Sequence, residues 1–115
     1  PKFGSGCLPS GFSHNGGKRP GEYGEKAGQS MTKVKICGVT SLKDLKLVTH
    51  LGADAVGVIT GIPSSPRNIT PILAKTLIES IPIFTKSVLV IAPETMDQAM
   101  ELCVNIKPDA VQIHN

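Results

Sequence analysis

A chain of 115 residues has room for one small domain, and its formal net charge of +3, from 12 basic and 9 acidic residues, falls short of the footprint of a nucleic-acid binder. Three scattered cysteines, Cys7, Cys37 and Cys103, form no C-x-x-C pair and fit no zinc spacing, which argues against both a disulfide framework and a structural metal site. No apolar run is long enough for a membrane span and no signal peptide stands out, so the default expectation is a soluble cytoplasmic protein.

Residues 1–30 differ from the rest. They hold eight of the twelve glycines and three of the four aromatics, Phe3, Phe12 and Tyr23, without helical or alternating period. Such a segment cannot bury enough apolar surface to offset its ordering entropy, and it reads as a disordered, Gly-rich leader, native or not. A nucleic-acid arm is the competing reading. Lys2, Lys18, Arg19 and Lys26 against Glu22 and Glu25 make a weak basic block.

From Met31 onward, short apolar runs alternate with amphipathic stretches. The first strand is expected from Val34 to Cys37, ending in the Gly38 turn. A helix follows with Ser41 as N-cap, a stripe of Leu42, Leu45, Val48 and Leu51, and Gly52 as its stop; His50 reads as a cation at its C-terminus. The second strand runs from Ala55 to Thr60, and the loop after it carries Arg67 behind Ser64-Ser65-Pro66. Thr70 caps a second helix with Pro71 at its first position and Leu73, Ala74, Leu77 and Ile78 on one face, ended by Pro82. The third strand spans Ser87 to Ile91. The third helix begins at Thr95, with Gln98 completing a capping box and Met96, Ala99, Met100 and Cys103 along one face, where Cys103 reads as a core thiol. The fourth strand runs from Ala110 to His114, and its Asp109-Ala110-Val111 echoes Asp54-Ala55-Val56, as expected of repeating units.

This alternation specifies an α/β fold with a parallel sheet. Four strands are half of an eight-stranded barrel, which usually needs roughly 200 residues or more, so residues 31–115 read as a truncated half of a TIM barrel. Its open edges and uncovered apolar face predict self-association. A complete small flavodoxin-like domain is the alternative.

Alternation along the strands places Lys35 and Cys37 on one face of the first, and Gln112 and His114 on one face of the fourth. If those faces point inward, thiol and imidazole meet at the mouth. A thiol serves as a base only if its pKa, about 8.5 unperturbed, is lowered. Lys35, about 6 to 7 Å below along the strand, is the candidate for that. The competing reading of Cys37 is a small buried hydrophobe. For Arg67 the choice lies between a carboxylate clamp and a solvated loop charge, with Pro63 and Pro66 stiffening its loop.

Lys35-Ile36-Cys37-Gly38, with Ser65-Pro66-Arg67 and Val111-Gln112-Ile113-His114, resembles the phosphoribosylanthranilate isomerase family of tryptophan biosynthesis across residues 31–115. The resemblance implies an Amadori rearrangement of a phosphorylated small-molecule substrate without cofactor or metal. It assigns Cys37 as general base, Arg67 as facing the anthranilate moiety, and Gln112 and His114 as lining the substrate site. It also implies an aspartate general acid on a later strand and phosphate loops after the seventh and eighth strands, without which this stretch alone is expected to be inactive. Ile59-Thr60-Gly61-Ile62-Pro63 departs from the aromatics usual in that loop, and Asn115 from the usual glycine. Other readings are a non-catalytic half-barrel binding module and another phosphosugar barrel such as an indole-glycerol-phosphate synthase. Lys-Ile-Cys-Gly on the first strand disfavours the latter.

Overall fold

The computed structural model describes residues 31–114; the expectations for residues 1–30, Cys7 included, lie outside the described residues. In chain order the elements are β1 (Lys35–Cys37), α1 (Leu42–His50), β2 (Ala55–Thr60), β3 (Asn68–Ile69), α2 (Pro71–Glu79), β4 (Lys86–Ile91), α3 (Met96–Ile106) and β5 (Ala110–Ile113). The sheet runs β1-β2-β4-β5 with every pair parallel, and β3, which the sequence does not announce, pairs with the end of β2.

Each helix starts where a hydroxyl can replace a missing backbone partner. Ser41, Thr70 and Thr95 accept from the N–H of Asp44, Leu73 and Gln98 at 3.1, 3.2 and 3.2 Å. The Gln98 side chain accepts from the Glu94 N–H, one residue ahead of the cap, at 2.9 Å. α1 ends as a Schellman turn: Gly52 adopts φ +96° and donates to the Thr49 carbonyl, while the Ala53 N–H bonds to that of Val48.

The core lies between one face of the sheet and the helices. Val56 and Val58 of β2 and Leu89 and Ile91 of β4 pack with Leu45, Ala74, Leu77, Ile78, Ala99 and Ile106. Full burial of a Leu, Ile or Val side chain contributes roughly 1.5–3 kcal/mol, so these positions dominate stability. Three expected stripes are corrected. On α3 the buried residues are Ala99 and Ile106 with Leu102 against them, whereas Met96 and Met100 are 74% and 54% exposed and Cys103 is only half-buried. The helix is apolar on several sides, and the sheet selects the 99-102-106 side. Along α1, Leu45 and Val48 reach the core, but Leu42 at its first position and Leu51, which caps its end, are exposed. Leu73 of α2 likewise falls short of the core, at 37% exposed.

The aspartate of the repeated motif has a visible task. The Asp109 carboxylate accepts from the N–H and hydroxyl of Ser87, and its own N–H donates to the Ser87 hydroxyl, at 2.8, 3.1 and 2.8 Å. These three bonds set the β4–β5 register at the amino ends of the strands. Among the described residues no helix is long and apolar enough to cross a membrane.

Candidate active site

Paired residues of a parallel ladder project to the same face, and the registers Lys35↔Ala55↔Lys86, Cys37↔Gly57↔Val88↔Ala110 and Val90↔Gln112 gather one set. That face is opposite the helices. Cys37, its last β1 residue, is exposed, so it is not the buried hydrophobe of the competing reading.

The neighbourhood of Cys37 follows from how β2 shares its edges. β4 occupies one edge from Ala55 to Ile59; β1 occupies the other through Gly57, and β3 takes over that edge from Ile59. The end of β1 and the start of β3 therefore abut, and Arg67, immediately before β3, lies over Gly38. A Cβ on Gly38 would stand 2.6 Å from the Arg67 Cδ, and its φ of +88° already favours glycine. Short bonds hold the loop: Asn68 Oδ1 accepts from the Ile62 N–H at 2.8 Å, Ser65 Oγ from the Arg67 N–H at 3.2 Å, and the Thr60 hydroxyl donates to the Ile69 carbonyl at 2.7 Å. Arg67 thus has its backbone held by the loop, and its exposed side chain lies beside the thiol's strand end.

Across the same face, the Lys35 ammonium donates to Gln112 Oε1. Side chains stand roughly perpendicular to a sheet, so on a flat sheet these two, three strand spacings apart and staggered by the four residues from Lys86 to Val90, would run parallel about 19 Å from one another. Their meeting shows that the sheet is curled, with this face concave. The ammonium expected to act on Cys37 is directed across the concavity instead. His114 is held by its backbone, donating to the Ile91 carbonyl at 2.8 Å, and its side chain is exposed. No hydrogen bond among the described residues joins His114 to Cys37; the side-chain bond that crosses this face is that of Lys35 with Gln112. His50 does stand in the last turn of α1, as expected of a C-terminal cation.

A cavity of about 360 Å³ lies at the amino ends of the strands, lined by Ser87, Asp109, Ile78 and Lys107 among others, and is remote from the thiol's end of the sheet. Among the described residues no group of three or more His, Cys, Asp or Glu side chains could hold a metal ion.

Strands placed in sequential order with no reversal, and helices packed on one face only, exclude a doubly wound sheet and define a segment of a singly wound (β/α) barrel. In such barrels chemistry sits at the carboxyl ends of the strands, where Cys37 and Arg67 come together. The family model for N-(5'-phosphoribosyl)anthranilate (PRA) isomerase matches residues 34–115. An N-(5'-phosphoribosyl)anthranilate isomerase of Haloarcula marismortui is 46% identical over 86 residues, covering 74% of this chain and 40% of that protein. The crystal structure of phosphoribosyl anthranilate isomerase from Thermotoga maritima is similar with a TM-score of 0.65 and 35% identity, over 71% of this chain and 40% of that one. So is one in complex with reduced 1-(o-carboxyphenylamino)-1-deoxyribulose 5-phosphate, with a TM-score of 0.65, 35% identity and coverage of 71% and 42%. The chain belongs to the phosphoribosylanthranilate isomerase family. It spans about 40% of the length of these relatives.

Gly57, buried inside β2 and paired with Cys37, is not singled out by the motifs, although a glycine inside a buried strand is itself a signal of close approach by another group.

Proposed function

We propose that residues 31–115 form half of a (β/α)8 barrel, with residues 1–30 outside it, in a cytoplasmic enzyme that converts N-(5-phosphoribosyl)anthranilate to 1-(2-carboxyphenylamino)-1-deoxyribulose 5-phosphate in tryptophan biosynthesis. The observation that carries this reading is the exposed thiol of Cys37 at the carboxyl end of β1 with Arg67 seated over the next residue. The relative solved with a reduced carboxyphenylamino-deoxyribulose phosphate supports a ligand that joins a carboxylated ring to a phosphosugar.

In this reaction an acid protonates the furanose ring oxygen, the C1–O bond opens, and the anilino nitrogen's lone pair forms the Schiff base. The Cys37 thiolate then takes the C2 proton. The C–H electron pair becomes the C1–C2 double bond, the Schiff-base nitrogen is neutralised, and tautomerisation gives the ketose. Carbon, oxygen and electrons are conserved, so the rearrangement calls for no cofactor. Arg67 offers the planar fork that suits the anthranilate carboxylate. Gln112 and His114 line the far side of the concave face. The family resemblance puts the aspartate acid and the phosphate loops on later strands, so residues 31–115 alone should be inactive.

Incubating the complete protein with N-(5-phosphoribosyl)anthranilate and following the carboxyphenylamino-deoxyribulose phosphate tests the reading. Product formed at a rate proportional to protein supports it. No product from the folded, complete protein overturns it.

A further inference from the structure

We infer that Gly57 is a positioning residue for Cys37: its missing side chain leaves the space the thiol occupies, and its carbonyl fixes the turn that carries the thiol. The inference rests on reading Cys37 as the base. Gly57 sits inside β2, buried, directly paired with Cys37 on one side and Val88 on the other. A glycine inside a strand weakens it and commonly marks a close approach of another group. Here the group is named. A Cβ built on Gly57 would stand 3.1 Å from the Cys37 Sγ, 3.3 Å from its Cα and 3.5 Å from its Cβ.

Backbone freedom does not account for this glycine. Its φ lies outside the positive range that Gly38, Gly52 and Gly61 adopt, so an L-residue fits the backbone and it is Cys37, its sulfur first and its Cα next, that crowds a side chain there. The carbonyl adds a second hold. It accepts from the N–H of Gly38 at 2.9 Å and from that of Val39 at 3.1 Å, so one oxygen pins both residues after the cysteine. The strand end is thereby fixed while the sulfur lies in the gap over β2. A methyl at 57 presses first on the sulfur and more lightly on the Cys37 Cα, while the carbonyl bonds to Gly38 and Val39 involve no side chain. Proton abstraction depends on the distance from base to carbon, and small misplacements of a catalytic group cost rate rather than binding.

The test compares Gly57→Ala and Cys37→Ser with the parent in the complete protein. Turnover, KM and thermal midpoint are measured, with iodoacetamide alkylation of Cys37 resolved from the other cysteines by peptide mass spectrometry. For Gly57→Ala we expect kcat to fall about tenfold or more with KM within about twofold. The alkylation rate of Cys37 should shift by about threefold or more, because the sulfur takes a new position and exposure. Parent values of both kcat and alkylation rate would overturn the inference. So would a kcat loss matched by loss of folded protein at the assay temperature, since that is a purely structural effect. Failure of the underlying reading looks different: Cys37→Ser would then turn over normally, whatever Gly57→Ala does to the alkylation rate.

Discussion

Lys35 on the first strand and Gln112 on the last are joined by a hydrogen bond that crosses the concave face of the sheet, skipping the two strands between them. The bond links curvature, which the barrel needs, to a side chain proposed to line the site. Because it is solvent-exposed, its contribution falls at the low end for a charged hydrogen bond, roughly 0.5–1 kcal/mol. A double-mutant cycle of Lys35→Met and Gln112→Ala, read by urea unfolding, should give a coupling of that size. Additive effects of the two substitutions would show that the bond carries no stability.

Leu89 is fully buried in the central strand β4, with core side chains from the helices against it. Leu89→Ala should lower unfolding free energy by about 2–5 kcal/mol through lost transfer energy and the cavity left behind. The midpoint of denaturant unfolding checks this. A change under 1 kcal/mol would mean that the sheet–helix core is not packed as described.

Much of this architecture is legible locally. Ser41, Thr70 and Thr95 announce their helices because a capping hydroxyl acts within three residues, and Gly52 announces a stop because only its own backbone conformation is at issue. Longer-range features are not. β3 is two residues long and exists only because β1 vacates the edge of β2 at Gly57. The buried side of α3 is set by the sheet, and its sequence offers Met96, Met100 and Cys103 as plausibly as Leu102 and Ile106. The same holds at the site. Cys37 and Arg67 are readable as reactive types, while their nearness and the gap at Gly57 follow from strand pairing between distant segments.

Two flanks of the described fold carry exposed apolar side chains, Leu42 and Leu47 on α1 with Leu51 at its end, and Met96, Met100 and Val104 on α3, with Val111 and Ile113 on the edge strand β5. Unpaired strand edges beside apolar helices favour association. The 115-residue polypeptide taken alone should therefore form oligomers or bind an apolar dye at micromolar concentration. Light scattering after size exclusion decides this, and a dispersed monomer at high concentration would show that the flanks need no cover.

Arg67 is seated by its loop, so its removal should weaken binding without disturbing the proton transfer. Arg67→Ala in the complete protein should raise KM by about tenfold or more, since a bidentate carboxylate contact is worth roughly 1.5–3 kcal/mol, while kcat changes less. An unchanged KM would return Arg67 to the role of a surface charge.

Cys37 bears the central claim, and turnover of Cys37→Ser in the complete protein tests it most directly. A serine hydroxyl at the same strand end keeps the shape and lacks an accessible basic form. Turnover should fall by about 10² to 10⁴ while substrate still binds, the range typical for loss of a general base. Turnover at the parent rate would contradict the assignment of the thiol as the base.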